Sequence, residues 1–546
     1  MSLEKYYRGE SVANYFSGII SFQDNKYQES YEFLKNLNNL EDSHSNYSKS
    51  YIETLVNNSK INEAYKYSTK LKKKEMNFFQ SDIVVISKLI KNGNFIKADE
   101  YLSLADNNNY TVLEDLLSQI IFSWVQIEKS KLNYSEAQNV FKRISPRYKN
   151  IKKINNVFLN CYFDTLNTEE FFLYLINDNT TDFSRYTFFY ANYLLKKNLP
   201  IKANSILKKK LNDVPRNLLL NQLYSDINQK KQNYLQNNFN CKNISNVLAE
   251  LFYITANALS TQSLHSLSNF YINLAKYLNQ NFFSYNTLLA ENFIRIEDYQ
   301  KAGKIYVLLK KFGENYSWHS SKQLAFLEIE KSNIEKAITS LEKSYKNLNS
   351  PNVYQTYDFA QFLKNNEKFK ESIKYYSVAL QNISQNHELY PKAKDGRGIA
   401  YEQIGDWPKA EKDFLDSLKV KPDQAYVINY LAYSWIEKGI NIEKSLKMLE
   451  DANKLRSNDG YITDSLGWAL YKLKKYDRAK KFLKKAVQLM PSDPIVNDHF
   501  ADILWMKGEK LQARYYWKYV LNLEDAEDEL KNKIKNKILN GPSKLN

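Results

Sequence analysis

The chain has 546 residues, a formal net charge of +16, and only 13 glycines and 10 prolines. This length exceeds one ordinary core, so we expect two or three domains or one extended repeat array. So few turn residues favour long helices with short turns and argue against a sandwich or a barrel. The positive charge admits nucleic-acid binding, although the codons of an A/T-rich genome by themselves favour lysine.

In the N-terminal part of the chain, small residues recur every 34 positions. Ser30, Ala64 and Ala98 show this interval, which is the length of a helix-turn-helix unit stacked on copies of itself. Gly93 falls in a turn between two helices, where a residue that tolerates positive φ is required. The interval predicts units that begin near Ser11, Ser45 and Phe79.

The register is lost in the middle of the chain. Residues 149–183 keep the apolar spacing of helices but lose the small residues, so we interpret them as degenerate repeats. The interval returns at Ala191 and Ala203. Residues 225–246 are polar, rich in Asn and Gln and weakly periodic. They predict an irregular connection or hinge that follows an N-terminal, partly degenerate sub-array, residues 1–224.

A second array, residues 247–523, is nearly continuous. Its units are predicted to begin near Ala249, Phe283, Trp318, Val353, Pro391, Ala425, Gly460 and Pro494. In residues 524–546, Leu530, Ile534 and Ile538 recur every four positions, and acids precede lysines as the helix dipole favours. We expect this last segment to be a capping helix and tail that cover the open end of the stack.

The repeat is most regular between Gly460 and Leu523. Two copies of the unit align there at the repeat interval, with matched pairs at Leu466 and Phe500, Gly467 and Ala501, and Ala479 and Ala513. The pattern resembles the tetratricopeptide repeat (TPR), whose small and closing positions fall on Gly467, Ala479, Ala486 and Pro491. The resemblance implies an all-α, right-handed α-solenoid built from TPR helix pairs.

In the TPR family, the first helix of each unit lines an inner, concave groove. Its groove positions correspond here to Tyr426, Asn429, Tyr433, Tyr461, Asp464, Trp468, Tyr471, Asp498, Asp502 and Trp505. This aromatic strip edged by aspartates predicts a site for a peptide or for a partner's helix. The alternative is that several of these residues pack against the adjacent repeat or the terminal helix.

One branch of the family holds the C-terminal carboxylate of chaperones with Lys and Asn at fixed inner positions. That clamp is absent from these C-terminal units, because the corresponding positions hold Asp395, Ile399, Asp464 and Trp468. Elsewhere, one side of a second helix is rich in lysine, with Lys480, Lys481, Lys484 and Lys485. We expect a solvated face there, with contact to an acidic partner or a nucleic-acid backbone as the alternative.

The sequence shows no signature of catalysis or of a metal or cofactor site. Phosphate-loop, nucleophile-elbow and zinc-protease motifs are absent, and the histidines lie apart from one another and from cysteine. His499 is expected to be a surface or satisfied polar residue. Cys161 and Cys241 are far apart without CxxC spacing, so we expect two buried free thiols and no disulfide. An enzyme hidden in residues 106–183 is the least favoured class.

The leading hypothesis is a non-catalytic adaptor that binds partner proteins or peptides along the concave groove. A basic helical repeat that binds RNA is the second. The last two full units also resemble the C-terminal part of long bacterial TPR proteins, some of which are exported lipoproteins that serve as adaptors for envelope proteases. An envelope-associated adaptor for a protease or assembly machine is therefore a third hypothesis.

The sequence lacks targeting and membrane signals, and this absence bears on the expected compartment. No signal peptide, lipidated cysteine or transmembrane segment is visible. We therefore expect a cytoplasmic protein, or a periplasmic or membrane-associated one if a leader was removed. We expect neither a cofactor nor a small-molecule substrate.

Overall fold

Helices account for the regular structure of this chain. The computed structural model describes residues 9–37, 40, 44–103, 110–229 and 238–542. The chain divides into two units, Met1–Leu348 and Asn349–Asn546. Within the described ranges no β-strand occurs, and none of the helices is both long and apolar enough to cross a membrane.

The first unit contains helices α1 to α19 and a 3₁₀ turn at Lys310–Phe312. The helices are α1 (Gly9–Gln23), α2 (Tyr27–Leu34), α3 (Ser45–Asn57), α4 (Ile61–Lys73), α5 (Phe79–Lys91), α6 (Phe95–Ser103), α7 (Val112–Lys129), α8 (Tyr134–Phe141), α9 (Lys149–Phe163), α10 (Thr168–Ile176), α11 (Ser184–Lys196), α12 (Pro200–Asp213), α13 (Leu218–Asn228), α14 (Ile244–Thr261), α15 (His265–Leu278), α16 (Tyr285–Arg295), α17 (Tyr299–Leu309), α18 (Glu314–Glu330) and α19 (Ile334–Lys346).

The second unit contains helices α20 to α30. They are α20 (Val353–Asn365), α21 (Phe369–Gln381), α22 (Leu389–Gln403), α23 (Trp407–Val420), α24 (Ala425–Glu437), α25 (Ile442–Leu455), α26 (Gly460–Lys472), α27 (Tyr476–Leu489), α28 (Pro494–Met506), α29 (Lys510–Leu521) and α30 (Asp528–Asn540). Because the turns are short, sequential helices lie side by side and pack in pairs.

Helix starts follow the 34-residue interval of the sequence. Predicted unit starts coincide with the first residue of a helix at Ser45, Phe79, Val353, Ala425, Gly460 and Pro494. At other units the helix begins a few residues earlier or later, as at Ile244 where Ala249 was predicted. The degenerate segment 149–183 still forms a helix pair, α9 and α10. The prediction of an all-α helical-repeat solenoid is confirmed.

Small residues permit the close approach of paired helices. The second-helix small positions are fully buried, with 0% exposure at Ala64, Ala98, Ala479 and Ala513. Gly467 in α26 faces Leu483 in α27, and a Cβ added to Gly467 would lie 2.7 Å from Leu483 Cδ2. Because Leu483 is itself fully buried, it has no room to withdraw. The contact between these two helices therefore requires glycine.

The turn inside a unit places one residue in the left-handed region. Gly93 has a φ of +73° at this position, as its place in the sequence predicts. Ser59, Glu367 and Lys474 adopt φ values of 60°, 61° and 60° in turns of the same kind. Such a conformation costs a non-glycine residue about 1 kcal/mol or more. Helix packing therefore imposes the turn geometry even where glycine is absent.

Cys161 and Cys241 form a disulfide, so the prediction of two free thiols is wrong. Their burial was expected correctly, with exposures of 3% and 8%. The two residues meet because Phe239 packs on the ring of Phe158, 5.2 Å between centroids, while Lys196 Nζ donates to the Phe239 carbonyl at 2.7 Å. The segment around Phe239 therefore packs against α9, which brings Cys241 next to Cys161. The spacing of the two cysteines along the sequence could not indicate this contact.

Part of the predicted connection, residues 225–246, lies outside the described residues, at positions 230–237. Its described parts are the end of α13, a short segment around Phe239, and the start of α14, all within the first unit. Helices from before and after the connection touch each other: Lys91 Nζ of α5 donates to the Leu278 carbonyl of α15 at 2.9 Å. A hinge role for this connection stays a prediction.

Replacing Gly467 by alanine should destabilise the second unit. The added Cβ enters the space of buried Leu483, and overpacking of this kind costs about 1–3 kcal/mol. The measurement is chemical denaturation followed by helical circular dichroism. Gly303→Ala is the matched control, because an added Cβ there meets Leu327 only at 3.5 Å. That variant should be neutral or stabilised by about 0.5–1 kcal/mol. Equal effects in the two variants would contradict the close-contact account.

Removing the disulfide by Cys161→Ser with Cys241→Ser should destabilise the first unit. Loss of a native crosslink typically costs about 2–4 kcal/mol, because the unfolded chain gains freedom. Hydrogen exchange read peptide by peptide measures each unit separately. The second unit contains no cysteine and serves as the internal control. Unchanged protection in α9 to α13 of the variant would contradict the prediction.

Candidate functional site

The predicted aromatic strip lies on three first helices of the second unit. Helix α24 carries Tyr426, Asn429 and Tyr433, α26 carries Tyr461, Asp464, Trp468 and Tyr471, and α28 carries Asp498, Asp502 and Trp505. Helix α26 contacts both α24 and α28. The structure therefore places the helices that carry the strip next to one another, as the repeat interval implies.

The residues of the strip differ widely in exposure. Two tyrosines are exposed, Tyr426 by 54% and Tyr461 by 60%. Half-buried positions are Asn429, Tyr433, Trp468 and Trp505. Buried positions are Asp464, Tyr471, Asp498 and Asp502. The strip is therefore not a uniform exposed surface, and its two ends have different surroundings.

At one end of the strip lies an open groove of about 400 Å³, here named the α26 groove. The strip contributes Asn429, Tyr433, Tyr461 and Asp464 to its wall. The other lining residues come from α22, α24, α26 and α28 with their ends, and they are Glu402, Gln403, Tyr430, Ser434, Glu437, Lys438, Ser465, Asp493, Ile495, Val496 and His499. The groove thus crosses successive first helices.

Stacked rings support the wall of this groove. The Trp468 ring lies nearly parallel to the rings of His499 and Tyr471, with centroids 3.8 Å and 4.7 Å away. Trp468 Nε1 donates to Glu437 Oε1 at 2.7 Å. Because two rings and a hydrogen bond hold Trp468, its replacement would disturb the packing of α26 and α28 as well as the groove.

His499 and Asp464 form a buried pair. His499 Nδ1 lies 2.9 Å from Asp464 Oδ2, and the two residues are 7% and 6% exposed. Burial alone lowers the pKa of His499, but Asp464, with Asp498 and Asp502, outweighs burial and raises the pKa above 6.5. Sequence reasoning missed this pair. Its separation of 35 residues, one more than the repeat interval, is the signal that could have found it.

Two acceptors in the groove wall lack a donor. Asp464 Oδ1 and Asn429 Oδ1 are buried and accept no hydrogen bond from the described residues. Burial raises the pKa of the nearby Tyr433 phenol, and the charges of Glu437 and Asp464 raise it further. A buried carboxylate oxygen without a donor is costly.

The other end of the strip is covered by the chain's last helix. Lys537 of α30 places its Nζ 2.8 Å from Asp498 Oδ2 and 2.9 Å from Asp502 Oδ2. Asp498 also accepts a hydrogen bond from Trp517 Nε1 at 2.9 Å. Burial, and then Asp498, raise the pKa of Asp502 to about 6, while Lys537 lowers it. Both aspartates are thus occupied within the second unit.

Trp505 also packs against the end of α30. A Cβ added to Gly541 would collide with its indole ring. Lys510 and Arg514 place their cations 5.1 Å and 5.2 Å from the ring centroid, and Arg514 Nε donates to the Ile538 carbonyl at 2.9 Å. Partner binding at Asp498, Asp502 and Trp505 stays a prediction, with α30 as the competing contact.

A second cavity, of about 540 Å³, lies in the first unit around Arg185. The Nε and Nη2 atoms of Arg185 donate to the two carboxylate oxygens of Glu250 at 2.6 Å and 2.9 Å. The guanidinium carbon lies 3.8 Å from the Tyr253 ring centroid. Sequence reasoning missed this pair, whose separation of 65 residues matches no repeat interval. Because Glu250 already neutralises Arg185, the pair ties α11 to α14 and leaves no free charge for a ligand.

The helix pairs and the groove define a helical-repeat protein. In the described part of the chain, no three His, Cys, Asp or Glu side chains come together as metal ligands. A family model described as tetratricopeptide repeat matches residues 248–526, about half of the sequence. The chain belongs to this family. Membership of this family supports a role as a scaffold for protein interactions.

Relatives of known sequence or structure cover parts of the chain. A TPR repeat-containing protein of Pseudomonas aeruginosa, PA4667, is 27% identical over 139 residues, which are 25% of this chain and 22% of that protein. This chain therefore spans about a fifth of the length of that relative. A tetratricopeptide repeat protein of Parabacteroides merdae is 18% identical, over 41% of this chain and 85% of that chain, with a TM-score of 0.34.

Two further solved structures are similar. The TPR protein TTC0263 of Thermus thermophilus is 16% identical over 34% of this chain and 100% of that chain, with a TM-score of 0.30. The hetero-tetramer Cut9-Hcn1 contains a chain that is 13% identical, with 97% of both chains covered and a TM-score of 0.38.

The pair of His499 and Asp464 should make the stability of the second unit depend on pH. The folded state holds the His499 proton more tightly than the unfolded state, so this stabilisation is complete below pH 6.5 and is lost as pH rises through the raised pKa. In wild type, the free energy of unfolding should decrease as pH rises through that range. In His499→Gln this decrease should be smaller. Denaturation at a series of pH values measures both. His387→Gln removes the other histidine of this unit and should keep the slope. Identical slopes for wild type and His499→Gln would refute the assignment.

Proposed function

We propose that the chain is a non-catalytic adaptor that binds a segment of a protein partner in the α26 groove. One observation carries the proposal: Tyr461 stands 60% exposed at a groove whose wall holds buried acceptors without donors. An exposed aromatic ring and unsatisfied polar atoms are both unfavourable in the free protein. A bound segment covers the ring and supplies the donors, and tyrosine is a frequent anchor of such interfaces.

An extended segment suits the groove better than a partner helix. The lining comes from α22, α24, α26 and α28, so the groove runs across successive helices. The main-chain N–H groups of an extended segment are free to donate to acceptors such as Asn429 Oδ1 and Asp464 Oδ1. A helix satisfies most of its N–H groups internally, and so it offers these acceptors mainly its side chains.

We infer an oxidising compartment for this adaptor. Disulfides persist in periplasmic and extracellular spaces and are rare in the cytosol, where thiols are kept reduced. The bond between Cys161 and Cys241 therefore supports the periplasmic or envelope-associated alternative over the cytoplasmic expectation. An adaptor for an envelope protease or assembly machine would operate in such a space.

Nucleic acid is the second candidate partner, supported by the net charge of +16. On α27, Lys481 and Lys484 are exposed, whereas Lys480 pairs with Glu509 at 2.6 Å. The α26 groove itself presents carboxylates, which repel phosphate groups. RNA would therefore bind at the lysine face of α27 and not in the groove.

Tyr461→Ala should weaken binding of a groove ligand. Short random peptides selected by display on the full chain, followed by fluorescence anisotropy with synthetic copies, provide the measurement. Loss of an anchoring tyrosine typically costs about 2 kcal/mol, or roughly 30-fold in Kd. Tyr515→Ala is the matched control, because Tyr515 is 69% exposed on α29 and does not line the groove. If every selected peptide binds wild type and Tyr461→Ala equally, the groove is not the docking site.

A further inference from the structure

The wall of the α26 groove contains a carboxylate that is only half satisfied. Asp464 is 6% exposed, and its Oδ2 shares a hydrogen bond with His499 Nδ1 at 2.9 Å. Its Oδ1 accepts nothing from the described residues, and neither does Oδ1 of Asn429, another lining residue. A buried anionic oxygen is stabilised by a hydrogen-bond donor, and a cationic donor stabilises it more than a neutral one.

The charges around this carboxylate are predominantly negative. Glu402, Glu437 and Asp493 line the same groove, and Lys438 is the lysine that opposes them. The charge of Glu437 is partly balanced by Lys472, whose Nζ lies 3.6 Å from Glu437 Oε1. Lys472 itself does not line the groove. The groove is therefore locally acidic on a chain whose net charge is +16. A positively charged ligand is attracted to this patch more than to the rest of the surface.

His499 reduces this negative charge without cancelling it. When protonated, His499 offsets the charge of Asp464, its direct partner. The carboxylates of Glu402 and Glu437 remain in the lining, so the sum of charges in the groove stays negative.

Aromatic rings complete a setting that suits a cation. Tyr430, Tyr433 and Tyr461 line the groove with the carboxylates. The face of an aromatic ring attracts an ammonium or guanidinium group, and it also covers the aliphatic stem of lysine or arginine. Rings beside carboxylates thus favour a long basic side chain over a small inorganic ion.

We propose that the α26 groove binds a lysine or arginine side chain of an extended partner segment. This inference rests on the proposed function, in which the groove is the docking site. The cationic head donates to Asp464 Oδ1 and Asn429 Oδ1, while its stem lies against Tyr461. The partner is therefore a protein with a basic segment, and the groove repels acidic peptides and nucleic acids.

The cavity of the first unit shows why the α26 groove is distinctive. There the charged residue, Arg185, has both carboxylate oxygens of Glu250 as partners at 2.6 Å and 2.9 Å. That ion pair is complete within the chain. In the α26 groove one carboxylate oxygen is left without a donor, and that donor has to come from a ligand.

The test uses the peptides selected by display on the full chain. Those whose binding depends on Tyr461 are expected to share an enriched Lys or Arg position. Asp464→Asn should weaken their binding by about tenfold or more, since truncation of a buried charge pair is costly. Asp525→Asn removes an exposed aspartate outside the groove and should leave Kd unchanged. Replacing the peptide lysine by norleucine should weaken binding to wild type by the same factor as Asp464→Asn does. The same replacement should weaken binding to Asp464→Asn by a much smaller factor.

A second variant protects the test against misfolding. Glu437→Gln removes a lining charge but keeps an oxygen that can accept the hydrogen bond of Trp468 Nε1. Its melting temperature should match wild type, and its Kd for the basic peptides should rise several-fold, with the difference shrinking as salt is added. Unchanged Kd for both Glu437→Gln and folded Asp464→Asn would overturn the inference.

The outcomes separate the two proposals. Peptides that require Tyr461 but carry no enriched Lys or Arg overturn the basic-segment inference and leave the groove as a docking site. Absence of any peptide that requires Tyr461 overturns the docking site, and the inference falls with it. Enriched basic peptides that bind wild type, Glu437→Gln and folded Asp464→Asn equally also overturn the inference.

Discussion

The close contact between paired helices is the constraint on which this structure depends. At Gly467 the neighbouring helix leaves no space for even one methyl group. Its equivalent in the next unit, Ala501, is fully buried, and so are small second-helix residues such as Ala64 and Ala513. Because these contacts recur every 34 residues, each unit repeats the same geometry. First helices of successive units then lie next to one another, and side chains from separate repeats, such as Asp464 and His499, come within hydrogen-bonding distance.

Charge is distributed differently at the two ends of the aromatic strip. At Asp498 and Asp502 the chain supplies its own cation, Lys537, and the pair of carboxylates is satisfied internally. At Asp464 the internal partner is a single histidine, and one oxygen is left without a donor. The same repeat position, Asp498 in one unit and Asp464 in the other, is therefore satisfied by the chain in the first and keeps one oxygen without a donor in the second. The difference arises from the terminal helix, which packs on α29 and places Lys537 at Asp498 and Asp502 of α28.

Much of the fold follows from the sequence because the repeat is local and periodic. Helix starts such as Phe79 and Gly460, and the left-handed turn at Gly93, were predictable from the spacing of small residues. The neighbouring placement of the strip's helices followed from the same interval. The disulfide and the pairing of Arg185 with Glu250 did not, because they join segments brought together by an irregular part of the path. The contact of Lys537 with the aspartates depends on how the last helix turns back, which no repeat specifies.

The crosslink between Cys161 and Cys241 also changes how the chain would respond to mechanical tension. It closes a covalent ring over a separation of 80 residues, which includes α10 to α13. A pulling force passes through the sulfur atoms and bypasses the helices inside the ring. Roughly 270 Å of contour length is thereby withheld from extension, at about 3.4 Å per residue. Under stretch, an oxidised array would lengthen less than a reduced one.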